Sequence, residues 1–280
     1  MKKIKKLTLS FSTINEWRLC PRRGHLLATE GFQRIGYRSH PNLYMGKAGH
    51  KALETLYAGQ SIDWADLAAE FELPAGNSLR QLVEDYVSYN QVSKMREAQF
   101  DVLKIEEEYT FPLTENIFMR GHIDLVVKTR SEELAILDHK FSTNPGRYTI
   151  PKIESSEQLS GYCWLASQAF GQPINLVGFN GIALDPKVRG ADRFVRGWTY
   201  RADWQIQEYV ANATYWTRQI RAWLESGFVP TDCEHGRTAF NTTCPLVQYC
   251  DAAPAEREAK LLSDYERVAN ELGAVVEWEK

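Results

Sequence analysis

No stretch of this 280-residue chain is apolar for long enough to cross a bilayer, which argues against a membrane-spanning protein. A basic excess is missing too: 33 Lys and Arg stand against 36 Asp and Glu, a formal net charge of −3. A protein that coats nucleic acid carries a strong positive charge, so that class is disfavoured. A chain with one local basic groove is not, because acidic metal ligands and acidic outer helices offset it. Cysteine is scarce at five, and no two form a CxxC pair, so zinc-ribbon spacing is absent. There are no internal repeats and no low-complexity segment, which removes solenoids and disordered arrays. The start, MKKIKKLTLS, is basic but leads into a polar amphipathic segment rather than the apolar run of a signal peptide. The expectation is a cytoplasmic chain of one large or two modest domains. Thiols in that compartment point to metal or cluster chemistry, or to burial, before disulfides.

What is present centres on Gly121 to Ser142, GHIDLVVKTRSEELAILDHKFS. It reads as two strands joined by a polar turn. Side chains in a strand repeat every two residues, so Leu134, Ile136, Asp138 and Lys140 share one face. Asp138 and Lys140 then stand roughly 7 Å apart along the strand. Asp124 lies on the neighbouring strand, where it can meet both. Two carboxylates at one place repel unless a divalent cation neutralises them, and oxygen ligands favour Mg²⁺ or Mn²⁺. A lysine beside that cation can hold a water or stabilise charge on a phosphate. Such a set suits metal-dependent phosphodiester hydrolysis; solvated charge on an ordinary hairpin has the same spacing.

GHIDLVV followed by AILDHKFS resembles the core motif of the PD-(D/E)XK nucleases, in the branch of the RecB nuclease domain and the CRISPR-associated RecB-like exonucleases. Asp124 matches the first acid, and Asp138 and Lys140 match the (D/E)xK pair. The resemblance implies an α/β restriction-endonuclease-like core, a mixed central β-sheet flanked by helices, with the backbone carbonyl of His139 as a further metal ligand.

Taken in order, Ser12 or Thr13 is expected to cap a short helix, with Glu16 completing a capping box before Cys20-Pro21-Arg22-Arg23. Leu43 to Ala58 has helical spacing, and His50 and Glu54 share a face four residues apart. A lone histidine there is commonly structural. The resemblance, which places a histidine after a Gly-rich helix start, implies that His50 is a metal ligand. A helix is expected over Leu79 to Gln99 and a strand over Val102 to Leu113. On that strand Glu106 or Glu108 could face the site, though an exposed edge is the plainer expectation. Glu154 to Phe170 reads as a helix with Gln158 and Tyr162 on one face. QxxxY after the (D/E)xK strand marks the RecB-like branch and implies that this pair contacts DNA. Cys163 beside it reads as a packed core cysteine. Strands over Leu176 to Leu184 and Phe194 to Tyr200 and an aromatic-rich helix over Asp203 to Leu224 follow. Asp251 to Lys280 is expected to be a final amphipathic helix carrying Leu261, Leu262, Tyr265, Val268 and Leu272.

Cys233, Cys244 and Cys250 lie in a loop-rich tail and make four thiols with Cys20. Four cysteines can bind a [4Fe–4S] cluster or a structural Zn²⁺, and His235 could replace one thiol in a zinc site. One N-terminal cysteine plus a C-terminal trio ending in CPxxxxC resembles the iron–sulfur staple of AddB and the CRISPR-associated relatives. Ten residues, Glu234 to Thr243, separate the first two cysteines of this trio, more than is usual there.

The resulting expectation is a single nuclease domain over 1–280. Its core spans about 43–200, its staple Cys20 and 233–250, and its last helix 251–280. The resemblance implies a Mg²⁺- or Mn²⁺-dependent DNA exonuclease acting on single- or double-stranded ends. Protein partners in a repair, recombination or CRISPR complex would fit it, and phage DNA metabolism would use the same core. A silent DNA-binding or assembly subunit and an iron–sulfur redox sensor are the alternatives.

Overall fold

The computed structural model describes residues 2–36, 41–92, 97–148, 152–232, 243–268 and 273–279. In chain order the strands are β1 (Ile4–Ser10), β2 (Phe32–Arg34), β3 (Phe100–Thr114), β4 (Ile117–Thr129), β5 (Leu134–Ser142), β6 (Leu176–Ala183), β7 (Phe194–Tyr200), β8 (Tyr265–Arg267) and β9 (Val275–Trp278). The helices are α1 (Phe11–Leu19), α2 (Pro21–Arg23), α3 (Pro41–Tyr57), α4 (Trp64–Glu70), α5 (Leu79–Asn90), α6 (Pro145–Tyr148), α7 (Glu157–Phe170), α8 (Asp203–Ser226), α9 (Val247–Asp251) and α10 (Arg257–Asp264). The expected α/β architecture is present, a mixed sheet flanked by helices.

The chain divides into two compact units, both discontinuous. One comprises Met1–Arg38, Thr110–Gly121 and Val210–Lys280; the other comprises Ser39–Tyr109 and His122–Tyr209. Strand β4 runs from the first into the second.

In the second unit the strands follow the order β7-β6-β5-β4. Strands β5 and β6 are parallel, from Ala135 opposite Leu176 to Ser142 opposite Ala183, and helix α7 makes the crossover that a parallel pair requires. Strands β4 and β5 are an antiparallel hairpin, in register from Lys128–Leu134 to Leu125–Leu137. Helix α7 stops at Gly171, whose φ of 64° is the left-handed conformation that glycine adopts without a Cβ penalty. Helix α4 starts at Asp63, whose carboxylate accepts from the N–H groups of Ala65 (3.0 Å) and Asp66 (3.1 Å). The core gathers Ala48, Leu53 and Tyr57 of α3, Leu82, Val83 and Tyr86 of α5, and Leu125, Val127, Ala135 and Leu137 of the hairpin. Because strand parity is two, the side chains of Asp138 and Lys140 leave β5 from the face opposite to Ala135 and Leu137.

In the first unit β1 pairs parallel with β4, Leu7 opposite Ile117, and antiparallel with β9. Ser10, not Ser12 or Thr13, caps α1: its Oγ accepts from the Thr13 N–H at 3.2 Å. Glu16 does not close a capping box but pairs with Arg23. The helix ends at extended Cys20 because the following Pro21 disfavours helical backbone there. Trp17 stacks on Trp223 at 6.0 Å between ring centroids.

Two more expectations are corrected, and one element was not foreseen. Residues 251–280 are not one helix: α10 ends at Asp264, and Tyr265–Arg267 pairs as a strand with Phe32–Arg34. The apolar spacing misled because Leu262 is 74 % exposed, while Tyr265 is buried and donates its hydroxyl to the Pro245 carbonyl at 2.9 Å. Leu272 lies outside the described residues. The basic start is strand β1, with Ile4, Leu7 and Leu9 buried. The helix expected to run to Gln99 ends at Asn90, where Gln91 turns left-handed.

Candidate active site

Asp124 stands on β4 one residue beyond the last hairpin pair, Leu125 with Leu137. Its Oδ2 accepts the backbone N–H of His139 at 2.6 Å, so the first acid is tied to the strand that carries the second. Two residues separate Asp138 from Lys140, which turns both side chains to one face, and Lys140 Nζ lies 2.9 Å from Asp138 Oδ1. The other oxygen, Asp138 Oδ2, is buried with no hydrogen-bond partner among the described residues. His139 between them turns the other way. Its ring stacks on Tyr57, and its Nδ1 accepts from Asn180 Nδ2 at 2.9 Å.

Helix α3 brings His50 to the carboxylates, with Nδ1 3.4 Å from Asp124 Oδ2. The residue before it explains the approach. A Cβ on Gly49 would stand 2.4 Å from the Phe141 ring, so only glycine lets α3 lie this close to β5. Glu54 pairs with Lys51 at 2.8 Å. Helix α7 supplies Gln158 and Tyr162; four residues apart, they join through Gln158 Nε2 and Tyr162 Oη at 2.9 Å.

One participant was raised only as the less plain alternative, that Glu106 or Glu108 could face the site rather than an exposed edge. Glu106 on β3 has a φ of 47°, unusual for a non-glycine inside a strand, and its side chain is only 15 % exposed. Its Oε2 meets His122 Nδ1 at 2.9 Å, and Oε1 lies 3.9 Å from His50 Nδ1. Ligand atoms of His50, Glu106 and Asp124 all lie within 4.8 Å of one another. Strict strand alternation hid Glu106, because the left-handed residue interrupts it; His122, one place after Gly121 in GHID, carried no signal of its own.

Crowded charge shapes the protonation of this corner. Burial pushes the Asp124 carboxyl up to about 7; His50 opposes that shift, while Asp138 and Glu106 add to it. Burial works against the charge of Glu106 as well, but hydrogen bonds from His122 and His50 outweigh it and hold the acid at about 2. Lys140 is raised despite burial, by Asp138 and then Asp124. Burial lowers His139 well below the usual imidazole range, so it is neutral. Burial, with the charges of Asp138 and Asp124, lifts Tyr162 well above the usual phenol range. That places the QxxxY helix within electrostatic reach of both acids. All these residues belong to the second unit.

Cys20, Cys244 and Cys250 lie in the first unit. Cys20 and Cys244 are buried free thiols, and Cys250 is half-buried against a small core of Leu26, Leu246 and Tyr265. The Asp232 N–H points at Cys20 Sγ (3.5 Å) and Arg22 Nη1 at Cys250 Sγ (3.6 Å). Cys233 and His235 lie outside the described residues. Cys163 is fully buried in α7, as expected, and burial pushes its thiol up to about 12.

The model of the PD-(D/E)XK nuclease superfamily matches residues 8–254. The chain belongs to that superfamily. No curated protein matches it in sequence. Among solved structures it is similar to a candidate exonuclease from Eubacterium rectale, with a TM-score of 0.53 and 12% identity over 88% of this chain and 94% of that one. An alkaline exonuclease from Laribacter hongkongensis matches with a TM-score of 0.36 and 12% identity, over 80% of this chain and 92% of that one. At such identity the first likeness speaks for the fold alone. In this PD-(D/E)XK chain, the two acids and the lysine that resemble the superfamily motif lie at one corner of the second unit, with His50 beside them.

Proposed function

We propose that this chain is a Mg²⁺- or Mn²⁺-dependent deoxyribonuclease that hydrolyses DNA phosphodiesters from strand ends. One observation carries the reading: Asp124, Asp138, Lys140 and His50 converge at a corner where a buried carboxylate oxygen, Asp138 Oδ2, has no hydrogen-bond partner among the described residues. Carboxylates and an imidazole fit a divalent cation. Such a cation, when bound, would neutralise the crowded acids, acidify a water and stabilise charge on the phosphate. Asp124 and Asp138 are its ligands in this reading, with His50 and the carbonyl of His139. Lys140 uses its ammonium to hold the attacking water or a phosphate oxygen. Gln158 and Tyr162 hold the substrate strand; Tyr162 stays neutral and can donate its hydroxyl to a phosphate without adding charge.

Action from ends follows from the resemblance to stapled RecB-like exonucleases and agrees with the exonuclease names of similar structures. The staple itself is part of the proposal. Cys20, Cys233, Cys244 and Cys250 would hold a [4Fe–4S] cluster, or Zn²⁺ in its place. The N–H and guanidinium donors directed at Cys20 and Cys250 are contacts that the sulfurs of a bound cluster could accept. Both units would belong to one nuclease domain, since the superfamily match spans residues of each. A cytoplasmic role in repair, recombination, CRISPR adaptation or phage DNA metabolism fits the reading, alone or with protein partners.

The test is cleavage of end-labelled single- and double-stranded DNA with Mn²⁺, wild type against Lys140→Ala. Wild type should release short products from one labelled end. The variant should be slower by about 10²–10³, the usual effect of removing one preorganised charge-stabilising group. A folded wild type that cuts neither substrate would replace this reading with a silent DNA-binding subunit.

A further inference from the structure

We infer that Glu106 is an additional carboxylate ligand of the cation site and that His122 is the residue that positions it; this deepens the metal-dependent reading above and rests on it. Four observations bear on the assignment. First, the backbone of Glu106 is left-handed inside a strand, at φ 47°. An L-residue is strained there, and a local irregularity of this kind re-aims a side chain. Here the result is a carboxylate turned toward the hairpin acids instead of toward water.

Second, the two oxygens of Glu106 have separate surroundings. Oε2 is taken by His122 at 2.9 Å, while Oε1 is left toward His50 at 3.9 Å. A neutral or charged imidazole donating to one oxygen fixes the orientation of the other, as outer partners of ligating carboxylates do.

Third, the span is right. Ligand atoms of His50, Glu106 and Asp124 lie within 4.8 Å of one another. Two ligands on opposite sides of one Mg²⁺ or Mn²⁺ stand about 4.0–4.4 Å apart, given bonds of about 2.0–2.2 Å. Only one pair of the three can be opposite; the other pairs would stand about 3 Å apart, so the 3.4 and 3.9 Å separations from His50 Nδ1 would close by up to about 1 Å to bring the three onto one ion.

Fourth, the charges match. With a bound cation keeping Asp124 ionised and with the histidines neutral, Glu106, Asp124 and Asp138 against Lys140 would leave two negative charges, the complement of one divalent cation; without Glu106 only one would remain. Asp138, 2 % exposed with one oxygen unpartnered among the described residues, is an independent sign that this corner awaits a ligand. A plain cross-strand ion pair between Glu106 and His122 would explain the second observation but not the strained backbone or the shared span.

The experiment measures Mn²⁺ binding to the full-length protein without DNA, cleared of exchangeable divalent ions but with any cysteine-held metal retained, by calorimetry and by the loss of the free-ion paramagnetic resonance signal. Glu106→Gln keeps the shape and removes the charge; it should weaken binding at least tenfold. Glu106→Asp keeps the charge one methylene short and should fall between. His122→Ala should weaken binding by a few-fold, and His122→Asn, which retains a donor, should recover part of that. Thermal melting of each variant before Mn²⁺ is added shows that it is folded. Wild-type binding that Glu106→Gln leaves within twofold overturns the inference while the nuclease reading stands. A wild type that binds no Mn²⁺ overturns both.

Discussion

Placing a methyl on Gly49 would put its carbon 2.4 Å from the Phe141 ring, and the next residue along α3 is His50. The clash therefore acts on both packing and chemistry. Gly49→Ala should destabilise the protein by about 1–3 kcal/mol, the usual cost of overpacking. Cleavage by the folded fraction should also fall, because α3 can relieve the contact only by moving His50 away from Asp124. Phe141→Leu added to Gly49→Ala should restore part of both losses, read by thermal melting and by rate per folded molecule. Unchanged melting and rate in the single variant would show that Phe141 simply swings aside. At this scale the sequence was legible where chemistry follows a fixed period: two residues for Asp138 and Lys140, four for Gln158 and Tyr162. The role of Gly49 could be suspected only from its place before a histidine, since the aromatic it avoids lies 92 positions away. Glu106 was obscured because its left-handed backbone shifts the alternation on which the strand reading rests.

Strand β5 is held from beneath by a buried polar network drawn from five separate stretches. Arg196 of β7 donates to Glu97 Oε2 at 2.7 Å, and Tyr86 of α5 donates to Glu97 Oε1 at 3.1 Å. Tyr57 of α3 also bonds Glu97, and Asn180 of β6 donates to both Tyr86 Oη (2.8 Å) and His139 Nδ1 (2.9 Å). The last contact anchors the residue between Asp138 and Lys140, so the network fixes which way those two side chains point. Glu97 is 2 % exposed, and removing its cation leaves a buried charge unpaired. Arg196→Met should therefore cost about 3–5 kcal/mol in urea unfolding, and adding Glu97→Gln should recover much of it. A loss below about 1 kcal/mol would mean that water reaches Glu97 and that β5 needs no such support. None of this was legible, because 99 positions separate the ion pair and neither partner sits in a local pattern. The hairpin, α7 and β6 were legible, since their burial follows from residues close in sequence. Strand β1 was not: its lysines dominate the composition, and its apolar residues become a strand only through pairing with β4, more than a hundred residues later.

Across the whole molecule, the proposed chemistry and the proposed staple fall in different units: Asp124, Asp138 and Lys140 in one, Cys20, Cys244 and Cys250 in the other. A cluster joining Cys20 to the C-terminal cysteines would close a loop of more than two hundred residues. By the chain-entropy argument for cross-links, closing a loop of that length is worth about 5 kcal/mol before strain is subtracted, and the cost rises only logarithmically with length. Such a contribution is a large share of the stability of an ordinary domain. It acts on the unfolded chain, not on the metal corner. Cys244→Ala should therefore lower the melting temperature and the iron content together. The cleavage rate per folded molecule, measured well below the new transition, should stay within a few-fold of wild type. Chelating or oxidising the cluster in the wild type should reproduce the same pattern. Full thermal stability with undiminished iron in Cys244→Ala would remove the staple. A collapse of cleavage in a variant that is still folded would instead tie the cluster to the reaction, as the redox-sensor alternative requires. Zinc in place of iron in the purified protein would keep the mechanical argument and change only the metal, because the loop it closes is the same.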